Sequence, residues 1–338
     1  MADARAMPAL SVLDHTPVSD EGDLGDAFRH STELAQLAER LGYRRYWVAE
    51  HHGRPWMAGS SPPVLMAHVA ASTSTIAVGS GALLLGNSSP LAVAEQFGLL
   101  AALHPGRIDL GIGRSSGADA VATHALRGRE VDVDRSLGEL LAFFAGSFPE
   151  EHPYHRITAV PGEGTAPSIW LCGSGTHSAR VAGRLGLPFV HGGHFAADAA
   201  RRAIATYREA FEPSAVLAEP YVGASVGVLC ADTDEDAQAA NALAVANLSR
   251  GLVGAVSAFR SGEALAADPR SVPSEVADHV RRITATHVVG GPETVRRGLG
   301  QIAGAWGVDE LFVTTLMHGY AARLRSYELV ARPEARAS

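Results

Sequence analysis

Short apolar runs alternate along this chain with longer stretches in which apolar residues recur every three or four positions, and polar residues collect where each short run stops. In the first repeat an apolar run over 10–13 ends at Asp14. Phe28, Leu34, Leu37, Ala38 and Leu41 then fall at helical spacing over 25–41, with Gly42 as the stop. The same alternation predicts strands over 44–49, 76–85 and 107–112 and helices over 63–74, 90–104 and 119–145, where Pro63 and Pro90 suit a first helical turn. Periodicity dissolves into Pro, Gly, His and Glu over 146–167 before a strand resumes over 168–172. Helix 178–185, strand 188–191, helix 196–211, strand 221–230 and helix 234–248 follow, and helix 293–305, strand 310–315 and helix 321–330 end the pattern. The segment 249–289 fits no repeat and is expected to be an insertion or lid. Strands alternating with helices make parallel βαβ units. Eight such strands predict one α/β domain over 1–338, a (β/α)8 TIM barrel with insertions at 146–167 and 249–289. A doubly wound open sheet is the alternative, because periodicity alone cannot close a barrel.

In either architecture, chemistry collects at the carboxyl ends of the strands. Here those ends read Glu50-His51-His52, Gly86-Asn87-Ser88 and Gly113-Arg114-Ser115-Ser116. Imidazoles make Glu50-His51-His52 a general acid/base or metal candidate. Adjacent residues leaving a strand point to opposite faces, however, so His51 and His52 do not readily share an ion. His191-Gly-Gly-His194 admits a metal reading or a plain polar strand exit. Ser174-Gly175-Thr176, between a strand and a helix, suits a phosphate cradle, because a helix start offers free N–H groups; a simple helix cap explains it equally. His177 and Ser178 could add donors, and Arg114 could supply a forked donor to phosphate or a ring carbonyl. Gly111, Gly113 and Gly117 lack dinucleotide-fingerprint spacing. Trp47, Trp170, Phe189 and Phe312 are expected to pack in the barrel or against helices.

Composition removes several classes. All 28 basic residues are Arg, so no lysine amine exists for a Schiff base, a pyridoxal cofactor or a P-loop. A net charge of -8 with scattered Arg argues against nucleic acid and for small molecules. Neither a secretory pattern in 1–8 nor a long uninterrupted apolar segment is present, so a cytoplasmic location without membrane association is expected. Cys172 and Cys230 are expected to be reduced.

Taken together, Tyr46-Trp47-Val48-Ala49-Glu50-His51-His52, Val78-Gly79-Ser80-Gly81, Ser89-Pro90-Leu91 with Ala94-Glu95-Gln96-Phe97, and His104-Pro105-Gly106-Arg107-Ile108-Asp109-Leu110-Gly111-Ile112-Gly113-Arg114 resemble the bacterial luciferase-like flavin monooxygenases. The likeness continues through Gly173-Ser174-Gly175, Gly290-Gly291-Pro292-Glu293-Thr294, Asp309-Glu310-Leu311 and Arg325-Ser326-Tyr327-Glu328-Leu329, and includes a subgroup with natural-product tailoring oxygenases.

The resemblance implies a barrel that takes reduced FMN (FMNH2) from a separate flavin reductase. It also implies a homodimer packed through the second and third helices, and oxygen activated as a flavin C4a-peroxide. His51 then matches a flavin-proximal histidine in proton transfer. Gly81-Ala82 matches a non-prolyl cis peptide against the isoalloxazine, Arg114 a flavin or phosphate contact, and Ser174, Gly175 and Thr176 the phosphate-binding turn. Departures are equally specific. Gly113 stands where bioluminescent members carry a reactive cysteine, which speaks against light emission. Asp14-His15-Thr16-Pro17, Asn87-Ser88-Ser89-Pro90 and Ser115-Ser116-Gly117-Ala118-Asp119 replace Asp-Gln-Ser-Pro, Asn-His-Ser-Pro and Ala-Pro-Gly-Thr-Asp of related chains. The leading expectation is a monooxygenase that hydroxylates or epoxidises a bulky organic substrate with O2, an aromatic polyketide being one candidate. The alternatives are an F420-dependent hydride-transfer oxidoreductase and a non-catalytic flavin-binding protein.

Overall fold

A computed structural model describes residues 7–18, 24–115, 117, 120–126, 132–165, 167–261 and 272–331. Eight parallel strands form its wall: β1 (Ala9–Asp14), β2 (Arg45–Val48), β3 (Ala77–Leu84), β4 (Ile108–Gly113), β5 (Ser168–Gly173), β6 (Phe189–His191), β7 (Val222–Cys230) and the late strand Glu310–Thr314. Each pairs with the next, β6 pairs with β7, and Glu310–Thr314 lies between β7 and β1. The sheet is therefore closed, a (β/α)8 TIM barrel rather than an open doubly wound sheet.

The helices wrap the outside: α1 (Leu24–Leu41), α2 (Pro62–Ala71), α3 (Pro90–Leu103), α4 (Ala120–Ala125), α5 (Val133–Ala145), α6 (Thr176–Arg184), α7 (Gly193–Ala196), α8 (Ala200–Glu209), α9 (Asp234–Ser261), α10 (Ser274–Thr284), α11 (Pro292–Trp306) and α12 (Tyr320–Ala331). The helix expected over 119–145 is two helices, because the Asp132 carboxylate accepts the N–H groups of Asp134 and Arg135, both at 3.1 Å, and starts α5 afresh. Asp119, with Ser116 and Ala118, lies outside the described residues. The helix expected to stop at Leu248 runs on to Ser261 through a sequence free of proline. The segment 249–289, of which 262–271 lie outside the described residues, also carries α10 and the beginning of β8 (Val288–Gly290). This ninth strand pairs with the last three residues of β7, beyond the barrel wall, so Glu310–Thr314 is β9.

Two cores result. The larger lies between strands and helices; the smaller fills the barrel with Leu13, Trp47, Ala49, Trp170, Val190 and Phe312. Phe189 belongs to the outer core, against Tyr207. Trp47 sets the interior's shape. A Cβ on Gly79, its register partner on β3, would lie 2.4 Å from the indole nitrogen, and one on Gly111 would lie 2.1 Å from the Ser80 carbonyl oxygen. Glycine at these two sites leaves room for an indole across the barrel. Towards the N-terminal ends of the strands the interior is polar and paired. Arg45 reaches Asp109 at 2.8 Å and Glu310 at 3.1 Å, Trp47 Nε1 donates to Asp109 at 2.9 Å, and the Tyr221 hydroxyl donates to Glu310 at 2.8 Å.

Candidate active site

A cavity of about 440 Å³ opens at the C-terminal ends of the strands, floored by Trp47 and Phe312. Of the residues expected there, His51, Gly81, Ala82, Arg114, Ser174 and Gly175 line it. Thr176 begins α6 without reaching the wall, while His177 and Ser178 do reach it. The Gly81–Ala82 peptide bond is cis.

One end of the cavity is polar and open. Gly175 caps α6 without a side-chain hydrogen bond, and nothing lies within 4 Å of where its Cβ would be, so the free N–H groups of the first turn can be approached closely. Arg114 Nε lies 3.8 Å from one oxygen of Asp134, and His177 Nε2 lies 2.7 Å from the other. Asp134 thus gathers Arg114 and His177 beside the helix start. Gly81, Ala82 and Gly113 give the adjoining wall almost no side-chain relief.

Glu50 sits at the junction of β2 and β3. It accepts from Leu84 N–H at 2.8 Å and Asn87 Nδ2 at 2.8 Å, and lies 2.9 Å from His52 Nε2. Its carboxylate is therefore committed to holding the end of β3 in place, and His52 turns towards it while His51 lines the cavity. Burial holds the His51 imidazole down to about 3, with His15, Arg54 and His52 acting the same way. His51 is thus neutral near pH 7, with a hydrogen on one ring nitrogen and a lone pair on the other.

The other end brings together groups that strand-end reasoning undervalued. His15 follows β1, and burial holds it down to about 4 against the pull of Asp14. His194 in α7 is pushed well below the usual imidazole range by burial and neighbouring histidines. Asp14 fixes this corner: buried, it accepts from Ser31 Oγ and Arg323 Nη2 at 2.6 Å, from Thr16 N–H at 2.7 Å and from the Tyr46 hydroxyl. Sequence reading left His191-Gly-Gly-His194 as a metal site or a plain polar strand exit, and took Asp14-His15 as a departure at a strand end. Among the described residues no group of three or more His, Cys, Asp or Glu is arranged to hold a metal ion. Cys172 also lines the cavity as a free thiol, pushed up to about 12 by burial.

Known proteins resemble this chain along most of its length. The sequence profile of the luciferase-like monooxygenases matches residues 8–310. The chain belongs to the luciferase-like monooxygenase family. A luciferase-like monooxygenase of Escherichia coli strain K12 is 39% identical over 328 residues, 95% of each chain. The N-acetyl-S-alkylcysteine monooxygenase of Bacillus subtilis strain 168 is 42% identical over 188 residues, which cover 54% of this chain and 56% of that protein. The crystal structure of apo-MsnO8 matches with a TM-score of 0.80 at 37% identity, covering 96% of both chains.

Proposed function

We propose that this luciferase-like monooxygenase uses FMNH2 to activate O2 and oxygenates a bulky organic substrate, an aromatic polyketide being one candidate. The observation that carries the reading is the pairing, within one cavity, of an open anion-ready helix start with a flat glycine wall beside a neutral histidine. FMN has matching parts. Ser174, Gly175 and the α6 N-terminus would hold its phosphate, with Arg114 and His177 released from Asp134 towards it. Gly81, Ala82 and Gly113 would leave room for a planar ring. Bound reduced FMN would supply two electrons and the C4a position at which oxygen is activated. His51, neutral and at the cavity wall, would accept or return one proton there, and Trp47 and Phe312 would exclude water from below. Monooxygenation favours FMN over F420, since a deazaflavin does not usefully form an oxygen adduct.

The reading extends to assembly and supply. Val64 on α2 and Leu99 and Leu103 on α3 are 72, 51 and 62% exposed, an apolar surface that supports a homodimer through these helices. A separate reductase would deliver the reduced flavin. Among the described residues no helix is long and apolar enough to cross a membrane.

The test adds FMNH2 anaerobically, admits oxygen and follows the flavin spectrum. The expected result is a protein-dependent delay in the return of oxidised FMN relative to free FMNH2. Identical traces with and without protein would sink the FMN reading; the titration would then be repeated with F420 to separate hydride transfer from binding alone.

A further inference from the structure

The half of the cavity away from Arg114 has its own chemistry. His15 stands between His51 and His194, with ring centroids 5.3 and 5.4 Å away. Nδ1 of His15, Nδ1 of His51 and Oγ1 of Thr16 are buried with no hydrogen-bond partner. Unmatched buried polar atoms of this kind cost about 1–3 kcal/mol each; His15 and His51 line the cavity and Thr16 does not, so it is the two imidazoles that an occupant can complete. Thr16 also holds a φ of +50°, rare for a β-branched residue, with its N–H tied to Asp14 at 2.7 Å. His194 Nδ1 is anchored to Ser225 Oγ at 2.6 Å, which leaves Nε2 as its remaining hydrogen-bonding atom.

Charge is what this half lacks. Among the described lining residues the guanidinium is that of Arg114, on the opposite side, and the Glu50 carboxylate is committed to Leu84, Asn87 and His52. Phe195, Phe312 and Trp47 supply aromatic surface. A neutral imidazole offers one donor and one acceptor, which a hydroxyl group can meet on both counts. A thioether would meet neither well, and a carboxylate would lose its hydration without gaining a cation.

We propose that this half of the cavity takes an uncharged aromatic alcohol, a phenol or an enol on a planar ring, with His15 as the residue that holds its hydroxyl and His51 and His194 beside it. The proposal rests on the FMN reading for what fills the other half. It makes His15 a specificity-determining residue.

The test is calorimetric titration of the FMN-loaded protein with 2-naphthol, 2-methoxynaphthalene and N-acetyl-S-benzylcysteine. The expected result is a preference of about tenfold for 2-naphthol over its methyl ether, one hydrogen bond's worth, with the thioether weaker than 2-naphthol. In His15→Phe the preference falls to within about twofold while FMN affinity stays unchanged. Equal binding of naphthol and ether by the wild-type protein, tighter binding of the thioether, or a preference that survives His15→Phe would each overturn the proposal. The wild-type comparison decides alone should His15→Phe not fold. A parallel FMN titration keeps the two readings apart: absent FMN binding with naphthol preference intact in the protein alone defeats the flavin reading and leaves this one standing.

Discussion

At the N-terminal ends of the barrel strands Arg45 is paired with both Asp109 and Glu310, whereas at the C-terminal ends His15 and His51 each bury a ring nitrogen that nothing meets. Both regions take polar groups out of water. The lower one carries full charges and satisfies them within the protein; the upper one, beside the paired Asp14 and Glu50, adds imidazoles that burial keeps neutral and leaves incomplete. The difference places the paired, stabilising charges and the proposed site at opposite ends of a single barrel axis, as expected of this architecture.

The largest effect expected from breaking this contrast comes from below. Arg45→Met strands two buried carboxylates and should cost about 3–5 kcal/mol in urea unfolding, while the folded fraction keeps its FMN affinity; a parallel loss of affinity per folded molecule would mean that the two ends are coupled. Acid attacks the upper end instead. Imidazoles held near 4 and 3 in the fold refuse the proton that the unfolded chain accepts below about pH 6.5, so stability falls as pH drops from 6.5 towards 4, by about 1.4 kcal/mol per unit for each of His15 and His51. Asp14, whose carboxylate is lowered by Arg323, Ser31, Tyr46 and Thr16 despite its burial, adds to this only below about pH 4. Urea midpoints between pH 6.5 and 5 should therefore slope in the wild type and slope less steeply in His15→Gln, which keeps only the share of the other buried imidazoles.

Within the upper end, His51→Ala should lower oxygenated product per FMNH2 oxidised by about 100-fold, with flavin binding intact; an unchanged yield removes His51 from proton transfer. The smallest effects lie at the polar mouth and have opposite signs. Arg114→Met should weaken FMN binding about tenfold through loss of a charge-assisted contact, and Asp134→Asn should tighten it by about threefold at low salt by removing a competitor for Arg114 and His177. Fluorescence titration reads both, and equal signs would place the phosphate elsewhere.

Much of the barrel could be read from sequence because each strand announces its own end: Asp14, Glu50 and Arg114 follow apolar runs directly. What failed was information that is not local. The start of α5 depends on the Asp132 cap, and α9 passes through a stretch whose composition resembles an insertion. β8 has only three residues and is identifiable by its pairing with β7, 60 positions earlier at Val228–Val288. At the site, His51, Gly81, Ala82, Arg114, Ser174 and Gly175 could be carried over because motifs surround them. The row His51–His15–His194 could not, since its members come from β1, β2 and α7 and meet only once the sheet closes. The role of Glu50 was hidden for the same reason, since Leu84 ends the next strand and Asn87 follows it.

Trp47 gives the molecule an optical property as well as a floor. Its indole is fully buried beneath the cavity, 5.3 Å from the Trp170 ring, so two emitters share one rigid setting and report on whatever rests above them. An absorbing occupant would draw excitation from that pair, and an aromatic one would shift its emission. The chain thus contains its own label at the place where occupancy matters, and filling of the barrel can be watched by ultraviolet light without attaching a dye.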